Sequence, residues 1–148
     1  MELSEVVVAI AEDVQKYTKE KSKAIDKAAR QQTGEALTDI IEHSPVRKRV
    51  PKKTGVVMVH GAAKENYQPG AYKKGWIKYT STKREGRTQG YVRNKTNYQL
   101  VHLLELGHDL KRNGRKIGYV DPIKHVDSAE DTARKKLADD INRILSEE

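Results

Sequence analysis

Two neighbouring stretches decide the fold of this chain: YQLVHLLELGH at residues 98–108 and PIKHVDSA at residues 122–129. The first is rich in aliphatic residues and ends near Gly107, so it predicts a short amphipathic helix over residues 98–106 that a left-handed glycine terminates. The second predicts a loop that leads into a final helix over residues 127–146. The predicted order of elements in this region is therefore a short helix, a loop and a final helix that packs against the rest of the fold.

The start and the apolar stripe of the final helix can both be read from the sequence. Asp127 or Ser128 is the predicted N-cap, and Glu130 and Asp131 lie in the first turn, where acidic residues suit the helix dipole. The predicted stripe continues at helical spacing: Ala129, Ala133, Leu137, Ile141, Ile144 and Leu145.

Three histidines and one glutamate in these stretches admit three interpretations. A metal site would use His102, His108 and His125 with Glu105, as in a small metal-dependent hydrolase, but the spacing does not match the two-histidine pattern of metalloproteases. A catalytic pair of His102 and Glu105, at i and i+3, lacks an accompanying nucleophile or oxyanion loop. We favour a structural pair that holds the short helix against its neighbours or against another subunit.

Residues 1–43 predict one long helix that ends near His43, because Pro45 follows. Lys21 falls where an apolar residue is due, which suggests that part of this helix is exposed or contacts another chain. Gly34 weakens its middle and permits a bend. The apolar residues recur at spacings of three and four: Val7, Ile10, Val14, Tyr17, Ala24, Ile25, Ala28, Leu37, Ile40 and Ile41.

The charge of the chain is concentrated in its middle. The net charge is +8, and residues 44–95 carry 14 Lys/Arg against 2 Asp/Glu. Prolines and glycines interrupt residues 44–71, which predicts a basic mobile loop in which residues 56–60 could form a short strand. One face or arm of the protein should therefore be strongly positive.

Residues 72–95 predict a β-hairpin with its turn at Glu85-Gly86. Basic side chains and aromatic residues alternate here and in the preceding loop, which favours a nucleic-acid-binding module as an alternative function, since phosphates attract Lys/Arg and bases stack on aromatic rings. The sequence contains no helix-turn-helix, zinc-finger or RNA-recognition signature. Asn113-Gly114 predicts a turn and not a phosphate loop, because no Gly-Lys-Ser/Thr follows.

Composition narrows the class of protein further. The chain has 148 residues, with 36% hydrophobic and 34% charged residues, so the expected core is small. The absence of cysteine excludes disulfides, thiolate metal sites and a cysteine nucleophile. No run of about 18 apolar residues is present, and the acidic first residues do not resemble a secretory leader. We therefore expect a soluble cytoplasmic product without a membrane segment.

These elements predict a single-domain α+β fold over residues 1–148. A long N-terminal helix and a C-terminal helix would pack on a small antiparallel sheet, with a long basic loop between the first helix and the hairpin.

Residues 98–129 resemble a family of neck and tail-completion proteins of long-tailed bacteriophages, the head–tail joining proteins related to the tenth gene product of a lambdoid phage. The resemblance rests on the two stretches quoted above, and Lys52-Lys53-Thr54-Gly55-Val56 is similar to the Thr-Gly-apolar segment of the family. Two departures from the family pattern are Lys124, inserted before His125, and Ser128, where a proline is common.

The resemblance implies a non-enzymatic virion protein, without a cofactor, that forms a ring between the DNA-filled head and the tail. The expected partners are copies of the chain, neighbouring head-completion and tail proteins, and packaged DNA through non-specific contact; the expected location is the virion, and the host cytoplasm during assembly. The candidate assembly residues are Arg47, Lys48, Arg49, Lys52, Lys53, Trp76, His102, Glu105, His108 and His125.

Overall fold

The computed structural model describes the backbone of residues 3–46, 56–59, 62–65, 70–83 and 88–147, and the side chains of residues 12–46, 70–83 and 88–147. The fold is α+β, as the sequence predicts. Its elements in chain order are α1 (Leu3–His43), β1 (Val56–Val59), β2 (Ala62–Glu65), α2 (Ala71–Lys74), β3 (Trp76–Thr82), β4 (Thr88–Asn94), α3 (Tyr98–Leu106), β5 (His108–Arg112), β6 (Arg115–Val120) and α4 (Val126–Ser146).

Helix α1 runs for 41 residues and is not interrupted at Gly34. It ends where predicted, since the Ser44 hydroxyl donates to the Ile40 carbonyl at 2.6 Å just before Pro45. The side chains of residues 12–20 are all exposed. Lys21 ends this exposed part of the helix, because its Nζ donates to the carbonyls of Ile144 and Glu147.

Helix α4 packs antiparallel to α1, and its observed start at Val126 lies within one residue of the predicted start. Gln32 Nε2 donates to Asp140 Oδ2 at 2.9 Å, and Lys136 Nζ donates to Glu35 Oε2 at 2.8 Å. These polar contacts lie beside the apolar stripe and fix the register of the two helices.

The predicted loop over residues 44–71 is partly wrong. Val56–Val59 form β1, as the apolar run suggested, but this strand pairs antiparallel with β2, which the sequence did not indicate. A further difference is the short helix α2. The residue before it, Gly70, has a left-handed backbone conformation with φ +79°. The basic residues 47–53 lie outside the described residues.

The predicted hairpin over residues 72–95 is confirmed in its pairing, with Trp76 opposite Asn94 and Tyr79 opposite Tyr91. Its first strand begins at Trp76, later than expected, because α2 occupies residues 71–74. The hairpin packs on α1, where Arg30 donates to the hydroxyls of Thr80 and Thr82.

Helix α3 matches the predicted residues 98–106, and a hairpin of β5 and β6 follows it. Asn113 (φ 50°) and Gly114 (φ 76°) form the turn, with the positive φ angles that the sequence predicts. Gly107 has a positive φ of 70°, but its ψ of 174° is not left-handed helical; it turns the chain directly into β5.

The described strands form three separate two-stranded sheets. The core between the β3–β4 hairpin and the helices is small: Ile40, Tyr72, Trp76 and Ala129 are buried at its centre, and Leu37, Ile41, Val92, Val101, Leu104 and Val126 pack around it. Within the described ranges, none of the helices combines the length and the apolar character that a bilayer crossing requires.

Candidate functional site

The Glu105 side chain lies at the centre of the most connected polar cluster in the described part of the chain. It projects from α3 onto the first turn of α4, whose backbone N–H groups have no partner within the helix. Glu105 Oε1 accepts from the N–H groups of His125 and Val126, both at 2.9 Å, and Oε2 accepts from the N–H of Asp127 at 3.3 Å. A carboxylate from one helix therefore caps another.

His125, the residue before α4, completes this cap with its ring. Its Nδ1 lies 2.8 Å from Glu105 Oε1 and 2.8 Å from the Ile123 carbonyl oxygen. Both atoms are acceptors, so we assign the ring proton to Nδ1. Nε2 lies 2.8 Å from the Tyr72 hydroxyl, which then donates to it.

Two rings of this hydrogen-bonded chain, those of Tyr72 and His125, pack with the ring of Trp76. Tyr72, Trp76 and His125 meet edge to face, with centroid distances of 5.6, 5.7 and 6.1 Å between the three pairs. This geometry is favourable for aromatic pairs. The rings lie against Ile40 and Ala129, so the cluster is continuous with the hydrophobic core.

Asn94 links the same cluster to the start of α3. Its Nδ2 donates to the Tyr72 carbonyl at 2.7 Å, and its Oδ1 accepts from the backbone N–H groups of Thr96 and Asn97. Gly75 lies so close to Asn94 that an added Cβ would overlap the amide. The cluster thereby joins α2, β4, α3 and α4.

The environment alters the protonation of two members of the cluster. Burial opposes the ionisation of Glu105, but the three backbone N–H groups outweigh it and lower the pKa of the carboxyl group below its ordinary value. Burial, and then the charge of Glu105, raise the pKa of the Tyr72 hydroxyl. Tyr72 therefore stays protonated as the donor to His125, while Glu105 is ionised.

The polar side-chain atoms of Glu105, His125 and Tyr72 are hydrogen-bonded and shielded from solvent, whereas Trp76 Nε1 is buried without a hydrogen-bond partner. Glu105 is 6% exposed and His125 is 2% exposed. Among the described residues, no group of three or more histidine or carboxylate side chains is arranged to hold a metal ion, so His102, His108, His125 and Glu105 do not converge as the metal interpretation required. The geometry suits a structural joint.

The predicted pairing of His102 with Glu105 is wrong. His102 is exposed, whereas the Glu105 carboxylate bonds to the start of α4. The i and i+3 spacing could not reveal a partner twenty residues further along the chain. His108 Nδ1 lies 3.4 Å from the Leu103 carbonyl oxygen, at the C-terminal end of α3.

The structure divides the candidate assembly residues. Trp76, Glu105 and His125 were expected at an interface, but they are buried inside the chain and offer no surface to a partner. His102 is exposed and His108 is half-buried, so both are accessible. Five candidates lie outside the described residues: Arg47, Lys48, Arg49, Lys52 and Lys53.

An exposed apolar stripe lies on α3, the short helix that the sequence favours for contacts between subunits, although none of its residues is among the candidate assembly residues. Leu100, Leu103 and Leu106 recur every three residues on the side of α3 opposite Glu105, and Leu106 is 69% exposed. The Tyr119 hydroxyl donates to the Leu106 carbonyl at 2.9 Å, which places its ring beside the stripe. We call these four residues the outer α3 stripe. The dense run of leucines was the available signal, since one face of a short helix cannot bury them all.

Comparison with known proteins finds no matching family model, no similar curated protein and no similar solved structure.

Proposed function

We propose that this chain is a structural, non-enzymatic virion protein of a tailed phage or prophage. It forms part of the head–tail connector, where it completes the neck or tail by assembling into a ring. One observation carries the assembly proposal: apolar side chains are exposed at both ends of the subunit. The resemblance of residues 98–129 to head–tail joining proteins directs it to the phage neck.

The two apolar surfaces lie at opposite ends of the α1–α4 pair. At one end Lys21 reaches the last carbonyls of α4, and α1 continues beyond it to Leu3. At the other end Glu105 holds the first turn of α4 against α3, which carries the outer α3 stripe. The length of α4 between them, 21 residues, is about 30 Å.

We call residues Leu3–Glu20, the part of α1 beyond Lys21, the α1 overhang. Val14 and Tyr17 lie three residues apart on it, and both are about half exposed or more, at 58% and 49%. Different surfaces at opposite ends favour head-to-tail association, which closes into a ring when the rotation per subunit permits. A self-complementary dimer would instead need one surface that binds its own copy.

The Glu105–His125 joint gives the assembly surface its rigidity. The outer α3 stripe can present a fixed shape only if α3 keeps its position on α4, and the buried cap fixes that position. The exposed basic side chains of the β5–β6 hairpin and the basic segment 44–71 supply further contacts to neighbouring head-completion and tail proteins, or to packaged DNA.

The oligomeric state and a phage assembly assay test this function. The purified full chain should scatter light as an oligomer and form rings in negative-stain images. Deletion of its gene from the parent phage or prophage should yield filled heads and free tails that fail to join, and expression of the chain in trans should restore joining. A monomer that is dispensable for particle formation overturns the proposal.

Non-specific nucleic-acid binding is a second candidate, which the outer face of the β3–β4 hairpin favours. Tyr79 and Tyr91 lie directly opposite each other on the side turned away from α1, and both are exposed. Arg93 shares this side and is exposed as well. Exposed aromatic rings beside cations are the surface on which single-stranded bases stack.

Titration with random duplex and single-stranded DNA at several salt concentrations separates the two functions. Tight binding by a monomer, with a steep salt dependence that Tyr79→Ala and Tyr91→Ala weaken, supports nucleic-acid binding. Rings with feeble DNA affinity support assembly.

A further inference from the structure

We infer that the α1 overhang of one subunit docks on the outer α3 stripe of the next subunit. The inference rests on the proposed ring function and assigns the two surfaces that join neighbouring copies. The occupant of the stripe is therefore a second copy of this chain.

The first argument is the state of the overhang. Its 18 residues extend about 27 Å beyond Lys21, and the side chains of residues 12–20 are all exposed. A helical segment whose described side chains, those of residues 12–20, are all exposed is marginal in water, and most helices in proteins are held by an apolar face. Val14 and Tyr17 provide such an apolar face.

The second argument is the shape of the stripe. Leu100, Leu103 and Leu106 form a ridge along one side of α3, and Tyr119 extends it at the end near Gly107. The apolar ridge of another helix can pack beside a ridge of this kind, in the groove next to it, with the two helix axes about 8–10 Å apart. Since α3 uses its opposite side for Glu105 and Leu104, the stripe is free for a partner without any change in the fold.

The third argument is charge. The α1 overhang carries four acidic and two basic residues, so it is acidic. Residues 107–124, next to the stripe, carry five basic and two acidic residues, and Lys111, Arg112 and Arg115 are exposed. Opposite charges around an apolar contact steer association and disfavour pairing of like ends. Two overhangs, or two stripes, would instead bring like charges together.

Disulfide trapping tests the pairing directly, because the chain contains no cysteine. Tyr17→Cys and Leu106→Cys are made in separate full-length chains, which are mixed and oxidised. The mixture should give a cross-linked dimer that neither variant gives alone. The double variant, with both cysteines in one chain, should give a ladder of multimers that reduction abolishes.

Tyr79→Cys is the matched control for Leu106→Cys, because Tyr79 is 62% exposed, close to the 69% of Leu106, but lies on the outer face of the β3–β4 hairpin. It should not cross-link to Tyr17→Cys. Dimers of Tyr17→Cys alone, or of Leu106→Cys alone, would mean that like surfaces pair and would overturn the inference. Absence of every cross-link although the wild-type chain forms rings would overturn the inference and leave the proposed function standing; a monomeric wild-type chain would end both.

Charge reversal gives an independent readout. Glu12→Lys with Asp13→Lys in the overhang should weaken association about tenfold, and so should Lys111→Glu with Arg112→Glu in the hairpin. When the two reversed chains are mixed, the reversed overhang of the first meets the reversed hairpin of the second, and the unchanged overhang of the second meets the unchanged hairpin of the first, so complementarity returns wherever the two chains alternate. A chain that carries all four changes restores complementarity at every contact. Sedimentation velocity should show recovery of most of the lost association in that chain. If the chain with all four changes assembles more weakly than either double variant, the result contradicts the pairing.

Discussion

Glu105 and His125 lie on different elements, twenty residues apart, and form one joint: Glu105 Oε1 lies 2.8 Å from His125 Nδ1 and 2.9 Å from the His125 backbone nitrogen. The joint replaces the side-chain cap that helix α4 lacks at His125. The side chain of α3 thus fixes where α4 begins and how the two helices meet.

Glu105→Ala should destabilise the fold by about 2–4 kcal/mol, because three backbone N–H groups at the start of α4 lose their acceptor inside the protein. Urea denaturation, followed by circular dichroism, measures the free energy of unfolding. Glu130→Ala is the control, since Glu130 forms an exposed pair with Arg134 four residues away; its effect should stay below about 0.5 kcal/mol. Equal losses in the two variants would contradict the capping role of Glu105.

The contribution of Glu105 to the free energy of unfolding should depend on pH. Its pKa is lower in the folded chain than its ordinary value of 4.5, so the unfolded chain binds more protons as the pH falls between the two values. The stability that the carboxylate provides is present above pH 4.5 and is lost as the pH falls through the folded pKa. The difference in unfolding free energy between wild type and Glu105→Gln should therefore be largest near neutral pH and narrow below 4.5. A difference that grows in acid would reverse the assigned direction.

Tyr72→Phe should cost about 1–2 kcal/mol, since it removes the hydroxyl that donates to His125 Nε2 and leaves a buried acceptor without a partner. Tyr91→Phe is a matched control: it removes a hydroxyl that bonds to Gln89 on an exposed strand. Thermal unfolding should show a lower midpoint for Tyr72→Phe alone. If both variants melt together with wild type, the Tyr72–His125 hydrogen bond does not stabilise the fold.

Gly90→Ala should destabilise the packing of β4 on α1 by about 1–3 kcal/mol, because a Cβ at this position would overlap the Thr33 side chain. Gly118→Ala provides the comparison, since its Cβ would meet only Leu110 at ordinary contact distance. Chemical denaturation of both variants should separate them. A stable Gly90→Ala with native hydrogen-exchange protection would mean that strand and helix are further apart than described.

The elements that the sequence predicts correctly are those whose signal comes from residues close together in the chain. Apolar spacings of three and four residues define α1, α3 and α4, and Pro45 gives the end of α1. The sequence also predicts the Asn113-Gly114 turn correctly, but it does not predict the strands on either side of it. Strands β5 and β6 are mostly exposed and rich in Lys and Arg, so they lack the alternation of buried and exposed residues that reveals a strand.

The site could not be predicted to the same extent, because its contacts join residues far apart in sequence. Asp127 and Ser128 have the residue types of a local N-cap, yet the cap comes from Glu105. Tyr72 was assigned to a strand, and its bond to His125 spans 53 residues. Sequence spacing identified Glu105 as a paired carboxylate but gave it the wrong partner, since only the packing of α3 on α4 decides which histidine it reaches.

Leu104 and Leu106 provide the last prediction, because they are neighbours on α3 with opposite environments. Leu104 packs against the core, whereas Leu106 is 69% exposed. Leu104→Asp places a charge among apolar side chains and should cost more than about 3 kcal/mol, with loss of the folded circular dichroism spectrum. Leu106→Asp should leave the stability within about 0.5 kcal/mol of wild type but abolish rings in negative-stain images, because the charge falls in the contact between subunits. Rings formed by a folded Leu106→Asp would show that α3 supports the subunit and does not join it to its neighbour.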